Sequence, residues 1–132
     1  MSWRSQSGAY LLFIRLDRQI ELQVGKLGKF HLEPGVYIYV GSAMGGFGRR
    51  IPRYLSAHRK VKWHIDYLLE KAHIIGVLLI PSEERIEEEI AFRLARTDGI
   101  LESIRGFGAS DSRNRTHLFR VKILIDKIGT PG

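Results

Sequence analysis

Short runs of strand-forming residues follow one another along the first part of the chain, and each run ends at turn-forming residues; residues 20–24 and 30–33 alternate apolar with polar residues. Four such runs occupy residues 8–16, 20–24, 30–33 and 36–40. Alternation with a period of two is typical of strands that bury one face. Tyr37 and Tyr39 should therefore lie on one face of their strand, and Ile38 on the other. The pattern predicts an antiparallel sheet in this part of the chain.

The period changes after a glycine-rich loop over residues 41–48. Apolar positions then recur at helical spacing over residues 49–58 and again over residues 63–72. Pro52 fits the first of these helices only if it lies in the first turn. Residues 74–80 are too apolar to be exposed and too short for most helices, so we expect a central strand. The inward positions of the first helix are expected to be Ile51, Tyr54, Leu55 and His58.

A third helix is expected to begin at Ser82, because serine oxygens accept hydrogen bonds from the free N–H groups of a first helical turn. Acidic residues follow, where the N-terminus of a helix favours negative charge. Its buried stripe is expected to be Ile86, Ile90 and Leu94, and its end Asp98 and Gly99. A loop over residues 106–111 and a last strand over residues 118–125 complete the pattern.

These elements predict one α/β domain of the α+β type, in which helices flank a small mixed, largely antiparallel sheet. We expect the domain to span residues 1–132, with a core from about residue 8 to about residue 125. The chain has no cysteine, which excludes a disulfide framework, a cysteine zinc site and a thiol nucleophile. It begins without the apolar segment of a signal peptide, and no apolar run approaches the roughly 20 residues that span a bilayer. We therefore expect a cytoplasmic protein without membrane contact.

Charge is unevenly distributed along the chain, whose formal net charge is +7. Residues 34–65 contain no Asp or Glu, whereas acidic residues cluster over residues 83–89. A basic segment without acids is typical of a surface that binds phosphate groups, so we expect a nucleic acid as partner. The candidate phosphate-binding residues are Arg49, Arg53, Arg59, Lys60 and Lys62. The alternative is an ordinary solvated basic surface.

Candidate chemistry lies where a strand, the glycine-rich loop and a helix follow one another. The loop lacks the Gly-Lys-Ser/Thr ending of a Walker A motif, so nucleotide binding of that type is not expected. Arg50 and Tyr54 are four residues apart and share one helical face, and Tyr39 ends the strand that leads into the loop. These groups could converge above one edge of the sheet. Tyr10, Tyr37 and Tyr39 would each also fit a hydrophobic core.

Glu87 is the candidate carboxylate, because it lies beside the predicted buried stripe and therefore nearer the core than Glu88 or Glu89. A half-buried carboxylate could be the single protein ligand of Mg²⁺, with waters and phosphate completing the coordination. The alternative is that all the glutamates of this helix are exposed to solvent.

The five histidines show no spacing typical of a catalytic zinc site. His64 and Asp66 are two residues apart in a predicted helix, so a role in capping or at the core edge is expected rather than a catalytic pair. His117 precedes the last strand, and it is a candidate to reach the site.

Several motifs follow one another in a fixed order over nearly the whole chain. They are Gly8-Ala9-Tyr10, Tyr39-Val40-Gly41-Ser42-Ala43, Arg50-Ile51-Pro52-Arg53-Tyr54-Leu55, Trp63-His64-Ile65-Asp66-Tyr67-Leu68-Leu69, Gly106-Phe107-Gly108-Ala109-Ser110-Asp111 and Thr116-His117-Leu118-Phe119. This order resembles a small family of GIY-YIG-like domains of unassigned function, some of them joined to an endonuclease III type glycosylase. The resemblance implies a scaffold of the GIY-YIG nuclease superfamily and a repair glycosylase as a partner.

The resemblance to active GIY-YIG nucleases also implies roles for tyrosines. Tyr10 matches the tyrosine of the first signature triplet, and Tyr39 matches that of the second. Gly35-Val36-Tyr37 also imitates the first triplet, which leaves Tyr37 as an alternative. By analogy, one of these tyrosines assists the attack of water on a phosphodiester.

The same resemblance implies an arginine and a metal ligand. Arg50 matches the helix arginine that stabilises phosphoryl charge, and Tyr54 matches the tyrosine or histidine one turn later. Glu87 matches the glutamate that binds a single divalent ion, Mg²⁺ or Mn²⁺, which helps the leaving oxygen depart.

Three functions follow as hypotheses. The first is a metal-dependent endonuclease acting on DNA in repair or recombination. The second is a non-catalytic module that binds nucleic acid through the same basic cleft. The third is a protein whose basic face binds an acidic surface of a partner.

Overall fold

A computed structural model describes residues 2–57, 60–109 and 112–122 of the chain. The strands are β1 (Gly8–Leu16), β2 (Ile20–Val24), β3 (Gly28–Leu32), β4 (Gly35–Ala43), β5 (His73–Pro81), β6 (Ile100–Glu102) and β7 (Leu118–Val121). The helices are α1 (Phe47–Leu55), α2 (His64–Leu69) and α3 (Glu87–Leu94). No helix in these ranges is long and apolar enough to cross a membrane.

Five strands form one antiparallel sheet in the order β5-β1-β4-β7-β6, and β2 and β3 form a separate hairpin. The long pairing of β1 with β4 sets the register of the site, since it places Tyr10 opposite Gly41 and Leu12 opposite Tyr39. The predicted α+β fold, a largely antiparallel sheet flanked by helices, is confirmed.

The two faces of the sheet carry separate cores. Tyr37 and Tyr39 pack on one face with apolar residues of α1 and α2. Ile38 and Val40 pack on the other face with Ala91 of α3. The predicted alternation along β4 is confirmed, because successive side chains of a strand point to opposite faces.

The first two helices differ in extent from the prediction. Because α1 begins at Phe47, Pro52 is its sixth residue and lies beyond the first turn, where it cannot donate a backbone hydrogen bond. The placement of Leu55 inside the core is wrong, since the helix ends there and the side chain is exposed. His58 lies outside the described residues. The second helix is shorter than residues 63–72 and ends at Leu69.

The prediction of a central strand over residues 74–80 is also wrong. β5 is an edge strand that pairs with β1 alone within the sheet. Its side chains alternate between packing against the core and facing outward, and Ile75 and Leu78 remain exposed. Ile74, Val77 and Leu79 pack against one core and Ile80 against the other, so both faces of this edge strand are partly covered.

The third helix begins later than predicted. The backbone of Ser82 exchanges hydrogen bonds with Ser7, and its Oγ accepts from the Glu84 N–H within a local turn. Helical structure starts only at Glu87 and ends at Leu94, short of the predicted end at residues 98–99. The short strand β6, which the sequence pattern did not predict, follows and pairs with β7. β7 begins at Leu118 as predicted, and residues 123–125 of the predicted strand lie outside the described ranges.

Candidate functional site

A cleft of about 1570 Å³ opens at the end of β4. Strand β7 pairs with β4 only as far as Tyr39, and beyond it the backbone of Val40 donates to the His117 carbonyl. Past that point the segment before β7 diverges from β4 and leaves Gly41 and Ser42 facing the cleft. The cleft is lined by parts of β4, α1, α2 and α3 and by residues 112–117, including Tyr39, Arg50 and Glu87. With Lys62, four of the predicted site residues therefore line one cavity.

A cluster of hydroxyl groups lies behind this cleft. The Tyr10 and Tyr54 hydroxyls share a 2.5 Å hydrogen bond, and both phenols interact electrostatically with the Arg50 guanidinium. Tyr10 is fully buried, with its ring against Gly41 on the neighbouring strand, where there is no room for a Cβ atom. Tyr10, the first tyrosine of the predicted site, does not line the cavity itself, whereas Arg50 does.

Protonation in this cluster is set mainly by burial. Burial raises the pKa of the Tyr10 phenol, and the neighbouring phenols of Tyr54 and Tyr39 raise it further. Burial likewise raises the pKa of Tyr39 and of Tyr54. For Arg50, burial lowers the pKa, but the phenols of Tyr10 and Tyr54 raise it, and the net pKa lies above the ordinary arginine value. The cluster is thus a guanidinium cation held by neutral phenols at neutral pH.

The Trp63 ring forms the next layer beside Arg50. The guanidinium carbons of Arg50 and Arg53 lie 4.5 Å and 4.3 Å from the centre of this ring. Arg53 also donates two 2.8 Å hydrogen bonds to the carboxylate of buried Asp66 and one to the Lys60 carbonyl. Asp66 accepts two more bonds, from the Trp63 and Lys62 N–H groups. Arg53 therefore joins α1 to the start of α2, and the predicted capping role of Asp66 is confirmed.

The other predicted phosphate-binding residues are dispersed. Lys62 lines the cleft and is exposed. Arg49 and Lys60 are exposed but do not line the cleft. Arg59 lies outside the described residues. Of the three cations in this set that the structure describes, Lys62 alone lines the cleft.

Glu87 opens α3 and is the most buried of its three acidic residues. Its side chain is 12% exposed, against 44% for Glu88 and 60% for Glu89. Its Oε1 lies 3.6 Å from Arg85, and its buried Oε2 has no hydrogen-bond partner among the described residues. The predicted order of burial is confirmed, and the alternative that all these glutamates are solvent-exposed is wrong for Glu87.

The arrangement fits a divalent ion with a single protein carboxylate. Within the described residues, no group of three or more His, Cys, Asp or Glu side chains could hold a metal. A buried carboxylate oxygen without a partner, in a cleft open to water, is the donor that Mg²⁺ or Mn²⁺ would need. Waters and a phosphate would have to supply the remaining ligands.

Tyr37 does not take part in this site. Its hydroxyl donates to the Glu33 carbonyl at the opposite end of β4, and its side chain does not line the cleft. Of the two tyrosines that could match the first signature triplet, only Tyr10 contacts Arg50.

Residues 112–117 form a wall of the cleft that was not predicted, apart from His117. Buried His117 approaches Ser112 Oγ at 2.9 Å and the Val40 carbonyl at 3.2 Å, while Arg113 and Arg115 line the cavity. The sequence signal for this wall is the alternation of arginine with small polar residues over 112–116. The segment lies outside the acid-free window from which the phosphate-binding residues were predicted.

Comparison with known proteins gives one match. No curated protein and no solved structure matches the chain. The family model described as "Domain of unknown function DUF123" matches residues 9–128, which is nearly the whole chain. The chain therefore belongs to the DUF123 family.

Proposed function

We propose that this protein is a divalent-metal-dependent endonuclease that hydrolyses phosphodiester bonds in DNA. The proposal includes the relationship to the GIY-YIG nucleases and a role in repair or recombination in the cytoplasm, with a DNA glycosylase as partner. The observation that carries it is the unpartnered Oε2 of Glu87 in a cleft that Arg50 also lines. A guanidinium and a free carboxylate oxygen in one cavity are suited to bind a phosphate and a cation together.

In the proposed reaction, water attacks phosphorus and loses a proton to solvent, the bond between phosphorus and the leaving oxygen breaks, and the leaving oxygen takes up a proton. Arg50 offsets the negative charge that develops on the phosphoryl oxygens, and the Trp63 ring, 4.5 Å from its guanidinium carbon, packs against it. Glu87 would hold Mg²⁺ or Mn²⁺, and the ion would supply positive charge to the phosphate and the departing oxygen. Tyr39 lines the cleft, and burial raises its pKa, so the phenol is neutral. In the proposed reaction it acts as a hydrogen-bond donor.

One observation favours the alternative of a non-catalytic module that binds nucleic acid. The raised pKa values of Tyr10, Tyr39 and Tyr54 leave each phenol protonated at neutral pH, so none is prepared to accept a proton from water. Such a module would keep the cationic cleft without turnover.

The test is cleavage of labelled duplex, branched and single-stranded DNA with Mg²⁺ or Mn²⁺, against an EDTA control. We expect metal-dependent cleavage, a loss of at least about 100-fold in rate for Arg50→Ala, and no loss for Lys26→Ala, an exposed cation outside the cleft. DNA binding without cleavage under any of these conditions would favour the non-catalytic module. Equal cleavage by Arg50→Ala and the parent would place the activity elsewhere.

A further inference from the structure

The segment before β7 is fastened to α3 by side chains of alternate residues. Ser112 Oγ donates to the Glu88 carboxylate at 2.7 Å. Asn114 Nδ2 donates to the same carboxylate at 2.8 Å and to the Glu88 carbonyl at 3.0 Å. The Asn114 N–H closes the turn by donating to Ser112 Oγ at 3.0 Å. One glutamate thus holds both polar side chains.

The other end of the segment is fastened to the neighbouring loop and to β4. The Arg115 carbonyl accepts a hydrogen bond from the Gly106 N–H, and the His117 N–H donates to the Phe107 carbonyl. The His117 ring is buried and lies within hydrogen-bond distance of the Val40 carbonyl. The backbone between these anchors is therefore fixed on both sides.

Fixing Ser112 and Asn114 inward turns the residues between and after them outward. Arg113 and Arg115 are both exposed and both line the cleft. Neither forms an ion pair with an acidic residue in the described part of the chain. By contrast, Arg53 is committed to Asp66. The two arginines thus extend from an anchored backbone, and no ion-pair partner of either is found among the described residues.

We infer that Arg113 and Arg115 bind phosphate oxygens of a nucleic-acid strand in the cleft, together with Lys62. This inference rests on the proposed function and names where its substrate is held. Guanidinium groups match phosphate oxygens in a bidentate way, and an anchored backbone lowers the entropy lost when they bind. The main phosphate-binding surface is then the wall formed by residues 112–117. Helix α1 contributes fewer phosphate contacts than its number of arginines predicts.

The test measures the affinity for a labelled DNA oligonucleotide, single-stranded and duplex, as a function of NaCl concentration in buffer with EDTA. Each phosphate contact that is lost lowers the slope of log K against log salt by about 1. We expect Arg113→Ala/Arg115→Ala to lower the slope by about 2. The charge-preserving variant Arg113→Lys/Arg115→Lys should keep most of the parent slope, because lysine also neutralises phosphate.

The matched control is Arg18→Ala/Lys26→Ala, which removes the same charge from two exposed residues outside the cleft. We expect it to keep the parent slope. Equal loss of slope in the control and the Arg113/Arg115 alanine variant would overturn the inference and leave the proposed function standing. If the parent shows no salt-dependent DNA binding, the proposed function and the inference fail together.

Discussion

At position 41 the candidate site has no room for a side chain larger than that of glycine. Gly41 lies opposite Tyr10 in the β1–β4 pairing, and a Cβ atom at position 41 would overlap the Tyr10 ring and hydroxyl. Its φ is not in the left-handed region, so the requirement for glycine is steric. Because residue 41 has no Cβ atom, the Tyr10 side chain has room to reach Tyr54 and the neighbourhood of Arg50.

We predict that Gly41→Ala displaces Tyr10 and lowers the free energy of unfolding by about 1–3 kcal/mol, the usual cost of overpacking a core. Gly76→Ala on β5 is the control, because a Cβ atom there would meet Phe13 at an ordinary 3.8 Å. Urea unfolding of both variants measures the difference. Equal stability of the two would contradict the steric account.

Tyr10→Phe tests the hydroxyl cluster without changing the packing of the ring. The change removes the hydrogen bond between the Tyr10 and Tyr54 hydroxyls, so we predict a loss of about 1 kcal/mol in the free energy of unfolding. Tyr67→Phe is the control, since Tyr67 is half-buried and has no protein hydrogen bond from its hydroxyl within the described ranges. A shift of the urea midpoint in the control as large as in Tyr10→Phe would refute a special role for the cluster.

Residue-level features were predictable where they depend on neighbours in sequence. The burial of Glu87 follows from the adjacent apolar stripe, and Arg50 and Tyr54 lie one helical turn apart. The pairing of Tyr10 with Tyr54 spans 44 residues, and no local pattern indicates it. The ion pair of Arg53 with Asp66 also joins two separate helices, and no local pattern indicates it. Arg53 was therefore predicted to bind phosphate from its charge alone.

At the level of elements, α1 and α2 are connected by a buried ion pair. The desolvation of Asp66 raises its pKa, but hydrogen bonds from Arg53 and from the backbone N–H groups of Trp63 and Lys62 lower it, and the net pKa lies below the ordinary value of 3.8. At a pH near 3.8, Asp66 therefore binds fewer protons in the folded protein than in the unfolded protein. Its contribution to stability is fully present at neutral pH and is lost as the pH falls through the folded pKa.

We predict that Asp66→Asn lowers stability at pH 7 and flattens its decline in acid. Urea unfolding between about pH 7 and about pH 3 measures this, with Asp17→Asn as a control for an exposed ion pair. The parent and Asp17→Asn should lose stability more steeply below about pH 5 than Asp66→Asn does. Parallel curves for all three proteins would show that Asp66 does not stabilise the folded state through its charge.

Element boundaries were predictable for strands with a clear alternation and less so elsewhere. β1 and β2 have the predicted bounds, since β1 is rich in strand-forming residues, β2 alternates, and each ends at a turn. β5 was expected at the centre of the sheet because it is strongly apolar. Apolar composition does not show whether a strand pairs with one neighbour or with two. α3 begins late because the backbone of Ser82 bonds with Ser7, a contact distant in sequence.

At the scale of the whole molecule, the cleft exists because β7 follows β4 over only four residue pairs. The sequence predicted both strands and hence the fold class. It did not predict where their pairing would end, because that depends on the loop contacts of Gly106 and Phe107. The cleft brings Arg50, Glu87 and the wall of residues 112–117 together from separate parts of the chain.

The most direct test of the account compares two glutamates of the same helical turn. Glu87→Gln and Glu89→Gln remove the same charge from the start of α3, but only Glu87 has a buried oxygen without a partner in the described structure. The measurement is the rate of DNA cleavage across a Mg²⁺ titration. We predict that Glu87→Gln lowers the cleavage rate by at least about 100-fold, and that Glu89→Gln cleaves at a rate close to that of the parent. Parent-like cleavage by Glu87→Gln would contradict the proposed metal-dependent site.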